Sequence, residues 1–259
     1  RFPLPAHQHN VILNHMEQSM GQAAVSFSWK EPIGLAFEKT KEKIWFLLGV
    51  LAVAYLVQIA PEMLAAVLLI PEESSARFFF SLISWILSVY MSAGILRIML
   101  RVVRGEETRV EDLFADPKLI PHYLVASLLY GLIIFAGFLL LIVPGVVWSI
   151  KYGMFGYFLV ERKAGIMDSF RQSAALTYGA KWQLFALALA TMGIVLLGLL
   201  AFFVGVFFAL PLVSLANAYA YILLSRTAVM EAVPESAPAT PETAVLTEEI
   251  ATPEQPKEN

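Results

Sequence analysis

The chain has 259 residues, 58% of them hydrophobic and only 15% charged, with a formal net charge of −3 and no cysteine. So apolar a balance excludes an ordinary soluble domain. The small net charge, with its acidic excess in the C-terminal tail, leaves no nucleic-acid footprint. The missing cysteine removes disulfides, thiolate catalysis and cysteine-based metal sites.

Residues 1–29 form a polar N-terminal segment in which His7, His9 and His15 lie too loosely to suggest a metal site. Residue 1 is Arg, Met16 and Met20 are possible starts, and no short apolar stretch with a cleavage site precedes Ile44, so no secretory signal is expected. Pro32–Phe37, followed by Lys39, Lys41 and Lys43, reads as an interfacial segment leading into the first apolar run, Ile44–Ala60. Pro61-Glu62 interrupts that run. The eight residues Met63–Ile70 are too few to cross, and either cap the outer face or continue a kinked helix.

After a loop at Pro71–Ser75 comes the second run, Phe78–Leu100, then a second interfacial segment from Val110 to Ile120. The third and fourth runs, Tyr123–Val143 and Val146–Val160, are joined by Pro144-Gly145. A third interfacial segment, Ile166–Tyr178, places Ile166, Phe170, Ala174 and Thr177 on one face, with Asp168, Arg171 and Gln172 off it. The last run, Leu184–Ser225, has 42 residues. As one helix it would measure roughly 63 Å, twice what about 30 Å of hydrocarbon needs. It therefore turns back near Gly205, giving Trp182–Val204 and Val206–Ser225.

None of the runs alternates in polarity as barrel strands do, and backbone in lipid must pair within its own segment. The expectation is all-α: a polytopic membrane protein with six transmembrane helices in three hairpins, each preceded by an interfacial amphipathic segment. The domain occupies residues 30–226. Residues 227–259 hold five prolines, seven glutamates and no aromatic, the composition of a disordered acidic tail.

Cations fix the orientation. Lys30, Lys39, Lys41 and Lys43 precede the first run; Arg97, Arg101, Arg104, Arg109 and Lys118 lie between the second and third; Arg162, Lys163, Arg171 and Lys181 lie between the fourth and fifth. The alternate connections carry only Arg77. Both termini are thus expected in the cytoplasm. Trp45, Trp85, Trp148 and Trp182 fall near predicted helix ends, as an aromatic belt would.

The stretch Pro144-Gly145, Lys151-Tyr152, Glu161, Asp168-Ser169-Phe170-Arg171-Gln172-Ser173, then Thr177, Gly179 and Trp182 resembles a group of prokaryotic polytopic proteins. That group includes the membrane domain of glycerophosphodiester phosphodiesterases; Ser169-Phe170 stands where it usually has Ala-Leu. The resemblance implies a shared helical architecture in a prokaryotic cytoplasmic membrane. In those enzymes the chemistry sits in a separate soluble barrel, for which this chain has no room, so it implies no activity here.

Among single residues Lys151 is the most unusual, a cation inside an apolar run. Insertion of a central cation costs about 2.5–3.5 kcal/mol. Either its stem snorkels outward or its ammonium holds a lipid phosphate or an acidic partner. Arg97, Arg101 and Arg104 recur at helical spacing on one face, a contact for anionic lipids. Asn217 reads as a hydrogen bond across helices, and Gly131, Gly137, Gly153, Gly156, Gly193 and Gly198 as sites of close helix approach. His122 stands alone, and no phosphate loop, nucleophile elbow or zinc motif is present.

The expected function is therefore non-catalytic, without cofactor or metal: a scaffold, partner-binding or lipid-associated factor whose partners are membrane lipids and another membrane or membrane-associated protein. Two alternatives stay open. One is a transporter, disfavoured because the Pro and Gly breaks lie at the outer ends of the runs. The other is a membrane module serving a phosphodiesterase-type enzyme on another chain.

Overall fold

A computed structural model describes residues 28–114, 117–201 and 204–232. His7, His9, His15, Met16, Met20, Phe203 and the tail from residue 233 lie outside the described residues. The α-helices are α1 (Lys30–Val67), α2 (Ser75–Val103), α3 (Ile120–Leu140), α4 (Ile142–Tyr152), α5 (Phe155–Arg162), α6 (Ile166–Leu176), α7 (Lys181–Leu200) and α8 (Val204–Ala232). Among the described residues there is no strand. Six helical stretches are long and apolar enough to span a membrane, with α4 and α5 together making the fourth. The all-α class expected from composition is thus what the chain adopts.

The elements depart from the sequence reading in ways that local chemistry explains. α1 runs 38 residues, but Lys43 has non-helical angles (φ −116°, ψ 22°) and divides it. The first interfacial segment is therefore a helix in its own right, joined to the first span at a kink. Pro61 lies within the continuing helix, so of the two readings of Met63–Ile70 the helix persists, through Val67. Leu69 then takes a left-handed conformation (φ 53°). There the Ile70 amide donates to the Ala65 carbonyl at 3.0 Å, an end that satisfies an orphaned carbonyl.

The second interfacial segment is not an α-helix. It forms two short 3-10 turns, Val110–Leu113 and Pro117–Leu119, the first closed by the Arg109 amide donating to Asp112 Oδ2 at 2.8 Å. α8 continues to Ala232, beyond the predicted boundary at Arg226.

Packing pairs neighbours along the chain: α1 with α2, α3 with α4, α7 with α8. α1 also packs along α8, and α2 touches α3, α5 and α8. The larger core gathers Leu47 and Val50 of α1, Met91 and Ile98 of α2, Tyr157 and Phe158 of α5, and Leu215 and Tyr221 of α8. A smaller core joins Tyr123 and Ala126 of α3 to Phe155 and Leu159 of α5 and Phe170 of α6. By contrast, α3 exposes Leu128, Leu132, Phe135 and Leu139, and α7 exposes Leu189, Met192, Leu196 and Leu200. Water would not tolerate such apolar stripes; hydrocarbon does.

Glycines set three close approaches. A Cβ on Gly137 would fall 2.9 Å from the Gly145 Cα, so the α3–α4 turn closes through the single extended residue Leu141. Gly198 and Gly205 meet in the same way where α7 passes to α8. Gly94, which no sequence pattern singled out, lies against the Leu113 carbonyl, where a Cβ would come within 1.8 Å. Gly131 and Gly193, by contrast, have nothing within 4 Å of a Cβ position, so neither serves helix approach.

Candidate functional site

The fourth apolar run looks continuous in sequence but is two helices. α4 ends at Tyr152, a turn passes through Gly153 and Met154, and α5 begins at Phe155. A break leaves carbonyls at the end of α4 and amides at the start of α5 without intrahelical partners. In a dry interior each such orphan costs about 1–3 kcal/mol. The break must therefore be served from outside.

α6 serves it. The Ser173 hydroxyl donates to the Lys151 carbonyl at 3.0 Å and accepts from the Met154 amide at 3.1 Å. It bridges both sides of the break. The Thr177 hydroxyl also reaches the Lys151 carbonyl at 3.1 Å, sharing its proton with the Ser173 carbonyl at 2.9 Å. Both side chains are fully buried. Phe170, from the same face of α6, stacks on Phe155 with ring centroids 5.1 Å apart.

The buried face of α6 is thus Ser169, Phe170, Ser173 and Thr177. It shares Phe170 and Thr177 with the predicted face, but two buried serines replace Ala174 and Ile166: Ser173 because the neighbour requires its hydroxyl, Ser169 with its hydroxyl turned back to the Ile166 carbonyl. The connection to α7 then turns through Gly179 (φ 85°), a conformation that favours glycine.

Of the motif residues, Ser173 and Thr177 converge on Lys151, but on its main chain. The Lys151 ammonium lies 5.1 Å from the Tyr152 ring and has no acidic partner among the described residues. Pro144 and Gly145 lie in the first turn of α4, Gly145 against the Phe138 ring. Asp168 sits in the first turn of α6, where a carboxylate suits the helix dipole, 3.8 Å from Arg171. Trp182 is 81% exposed at the start of α7.

The arginine face has a different setting from the one its spacing suggests. Arg101 pairs with Asp112 at 2.6 Å and Glu106 at 3.0 Å. Arg104 pairs with Glu161 at the end of α5, and Glu161 also accepts from the buried Tyr221 hydroxyl of α8. These two guanidiniums hold α2 to the following loop and to α5; half-buried Arg97 has no ion-pair partner among the described residues. Arg77, the lone cation between the first two apolar runs, is paired too, with Glu62 at 3.2 Å. Asn217 donates to the Val213 carbonyl of its own helix at 2.9 Å rather than across to a neighbour.

Two recesses adjoin the broken helix. On one side lies a groove of about 550 Å³. Ile142, Val146, Val147 and Ile150 of α4 line it, with Trp182 and Phe185 of α7, and Lys181 is the sole charged residue in its wall. The other, between α2, α3, α4–α5, α7 and α8, is a cavity of about 410 Å³ reaching Gly153, Met154, Tyr157 and Asn217.

The chain is 33% identical over 153 residues to the uncharacterized protein Rv2560 of Mycobacterium tuberculosis, a match covering 59% of this chain and 46% of that protein. The uncharacterized protein Mb2590 of Mycobacterium bovis matches with the same identity and coverage. The chain thus spans about half the length of the curated relatives it matches. No protein-family model matches the chain, and no solved structure does.

Proposed function

We propose that this is a non-catalytic protein of a prokaryotic cytoplasmic membrane. In this reading it crosses six times as three hairpins with both ends inside, and holds an anionic phospholipid. The observation that carries the reading is the α4–α7 groove. Its walls are aliphatic and aromatic, Lys181 stands at the first residue of α7, and Lys151 lies in the last turn of α4. An acyl chain suits the walls, a phosphate suits the Lys181 ammonium in the wall, and Lys151, one residue beyond Ile150, supplies the second candidate ammonium. Exposed Trp182 beside Lys181 matches the residue pair found at headgroup depth.

The three-hairpin threading is supported by the pairing of consecutive helices and by the cation count of alternate connections. The resemblance to the phosphodiesterase membrane domain fits the same reading: a lipid-holding module whose chemistry, if it serves any, is supplied by another polypeptide.

Native mass spectrometry of the protein released from mild detergent tests the lipid claim. Wild type is expected to retain phosphatidylglycerol, and Lys151→Ala combined with Lys181→Ala to lose it while staying folded. Equal retention by both would return the two lysines to snorkelling. A reporter fused after Arg226 should be active only on the cytoplasmic side; an external signal would overturn the threading.

A further inference from the structure

The lipid groove leaves the second recess unexplained. This recess, about as open as the groove, includes no charged residue in its lining. An ion entering it would lose hydration without a countercharge. The lining nevertheless carries polar groups, and their hydrogen-bonding capacity can be followed one by one. Ser149 Oγ donates to the Val146 carbonyl at 2.7 Å, Ser214 Oγ to the Leu210 carbonyl at 2.9 Å, and the Tyr130 hydroxyl to the Ser149 carbonyl at 3.2 Å. Those three protons are committed to main chain.

Two groups remain. Tyr157 is only 6% exposed, its ring is stacked on Tyr221 at 4.7 Å, and its hydroxyl has no hydrogen-bond partner among the described residues. The hydroxyl of an otherwise buried residue that lines the recess without a protein partner points to something that completes it. Asn217 commits one amide hydrogen to Val213, leaving its carbonyl oxygen and second hydrogen available.

From these we infer that the cavity is a binding site for an uncharged amphiphile with an alcohol head group. The head accepts from Tyr157 and donates to Asn217. The tail lies against Met99, Met154, Leu184 and Leu187. At about 30 Å³ per water-sized group the space holds roughly a dozen non-hydrogen atoms. A charged headgroup, as in the α4–α7 groove, has no counterpart here. The break itself shapes the site, since Gly153 and Met154, where the helix is interrupted, form part of the wall.

The test is photolabelling of the full chain in lipid nanodiscs with an octanol carrying a diazirine, followed by peptide mapping. Adducts are expected on the Met154–Tyr157 and Leu184–Ala188 segments. Excess 1-octanol should compete them away, while octane and octanoate should not. Tyr157→Phe, which removes one hydroxyl from a ring held by stacking, should weaken half-maximal labelling roughly two- to tenfold, the worth of one hydrogen bond. Asn217→Leu should do the same. Ala188→Trp, filling the cavity from α7, should abolish those adducts in a protein that still elutes as a single species. Competition by octane as effective as by octanol would overturn the site. So would labelling unchanged by Tyr157→Phe, or adducts confined to outward residues such as Leu132. Loss of phosphatidylglycerol in the double lysine variant leaves these readouts untouched, so the two sites fail separately.

Discussion

α3 and the α4–α5 pair pack against each other and each cover 21 residues apolar enough to span a membrane, yet they satisfy their backbones differently. α3 is one helix whose most apolar stretch is 17% buried; in its partner the figure is 39%, and the helix is interrupted at Gly153–Met154. An unbroken helix satisfies its own backbone and can afford to face lipid. A broken one needs hydroxyls from elsewhere, and so must sit where another element can reach it. The break, its burial and the presence of α6 beside it are one structural fact seen three ways.

Removing the bridge should produce the largest effect. Ser173→Ala with Thr177→Val strips both hydroxyls from the Lys151 carbonyl and the Met154 amide. With about 1–3 kcal/mol for each buried group left unpaired, the double variant should lose several kcal/mol in thermal unfolding in detergent. Ser127→Ala on α3, whose helix needs no such service, should change stability by under about 0.5 kcal/mol. Equal losses at the two places would show that the break is not held by α6.

Next comes the seam between the two stretches. Gly137→Leu puts a side chain where the Gly145 backbone lies within 2.9 Å and the Trp148 ring within 3.0 Å of the Cβ position. Overpacking of this kind costs about 1–3 kcal/mol. The same thermal measurement should register it, and a disulfide introduced across the turn should form less readily in the variant. An unshifted melting curve would mean that the turn yields without cost.

The difference between these two helices was only half visible in the sequence. Hydropathy and length found α3 and the whole α4–α5 stretch, because lipid demands a long apolar run whether or not it is interrupted. The interruption left no turn signature: Gly153 is an isolated glycine like Gly131, and the lower mean hydropathy around it, 1.2 against 2.3, comes with Lys151 and reads as a feature of that side chain. What distinguishes it is a hydroxyl pair at Ser173 and Thr177, distant in sequence, and no helical periodicity links a serine to a carbonyl on another element. The motif stretch did contain both residues, so their identity was legible while their partner was not. That also removes the premise that breaks lie only at the outer ends of the runs. The arginines show the same limit. Spacing placed Arg97, Arg101 and Arg104 on one face, but Glu161 follows Arg104 by 57 positions. The nearer acids Glu106 and Asp112 were the available signal for Arg101 and went unused. The kink at Lys43 was hidden for a different reason, since Pro61 offered a stronger apparent cause of bending.

The smallest effect should also carry the sharpest sign. Gly131 in α3 and Gly156 in α5 are glycines of the two helical stretches compared, and an added methyl meets opposite surroundings. At Gly131 there is nothing within 4 Å, so Gly131→Ala gains only the reduced backbone entropy of the unfolded chain and should stabilise by a few tenths to about 1 kcal/mol. At Gly156 the new Cβ would lie 3.1 Å from Leu96 Cδ2 and 3.1 Å from the Tyr123 hydroxyl. There the same propensity gain is set against a contact that must give way, and Tyr123, 6% exposed, has little room to move. Gly156→Ala should therefore be neutral or destabilising by under about 1 kcal/mol, without the gain expected at Gly131. Stabilisation at both positions would mean that α5 packs no more tightly than α3, and the contrast between the two stretches would reduce to the break alone.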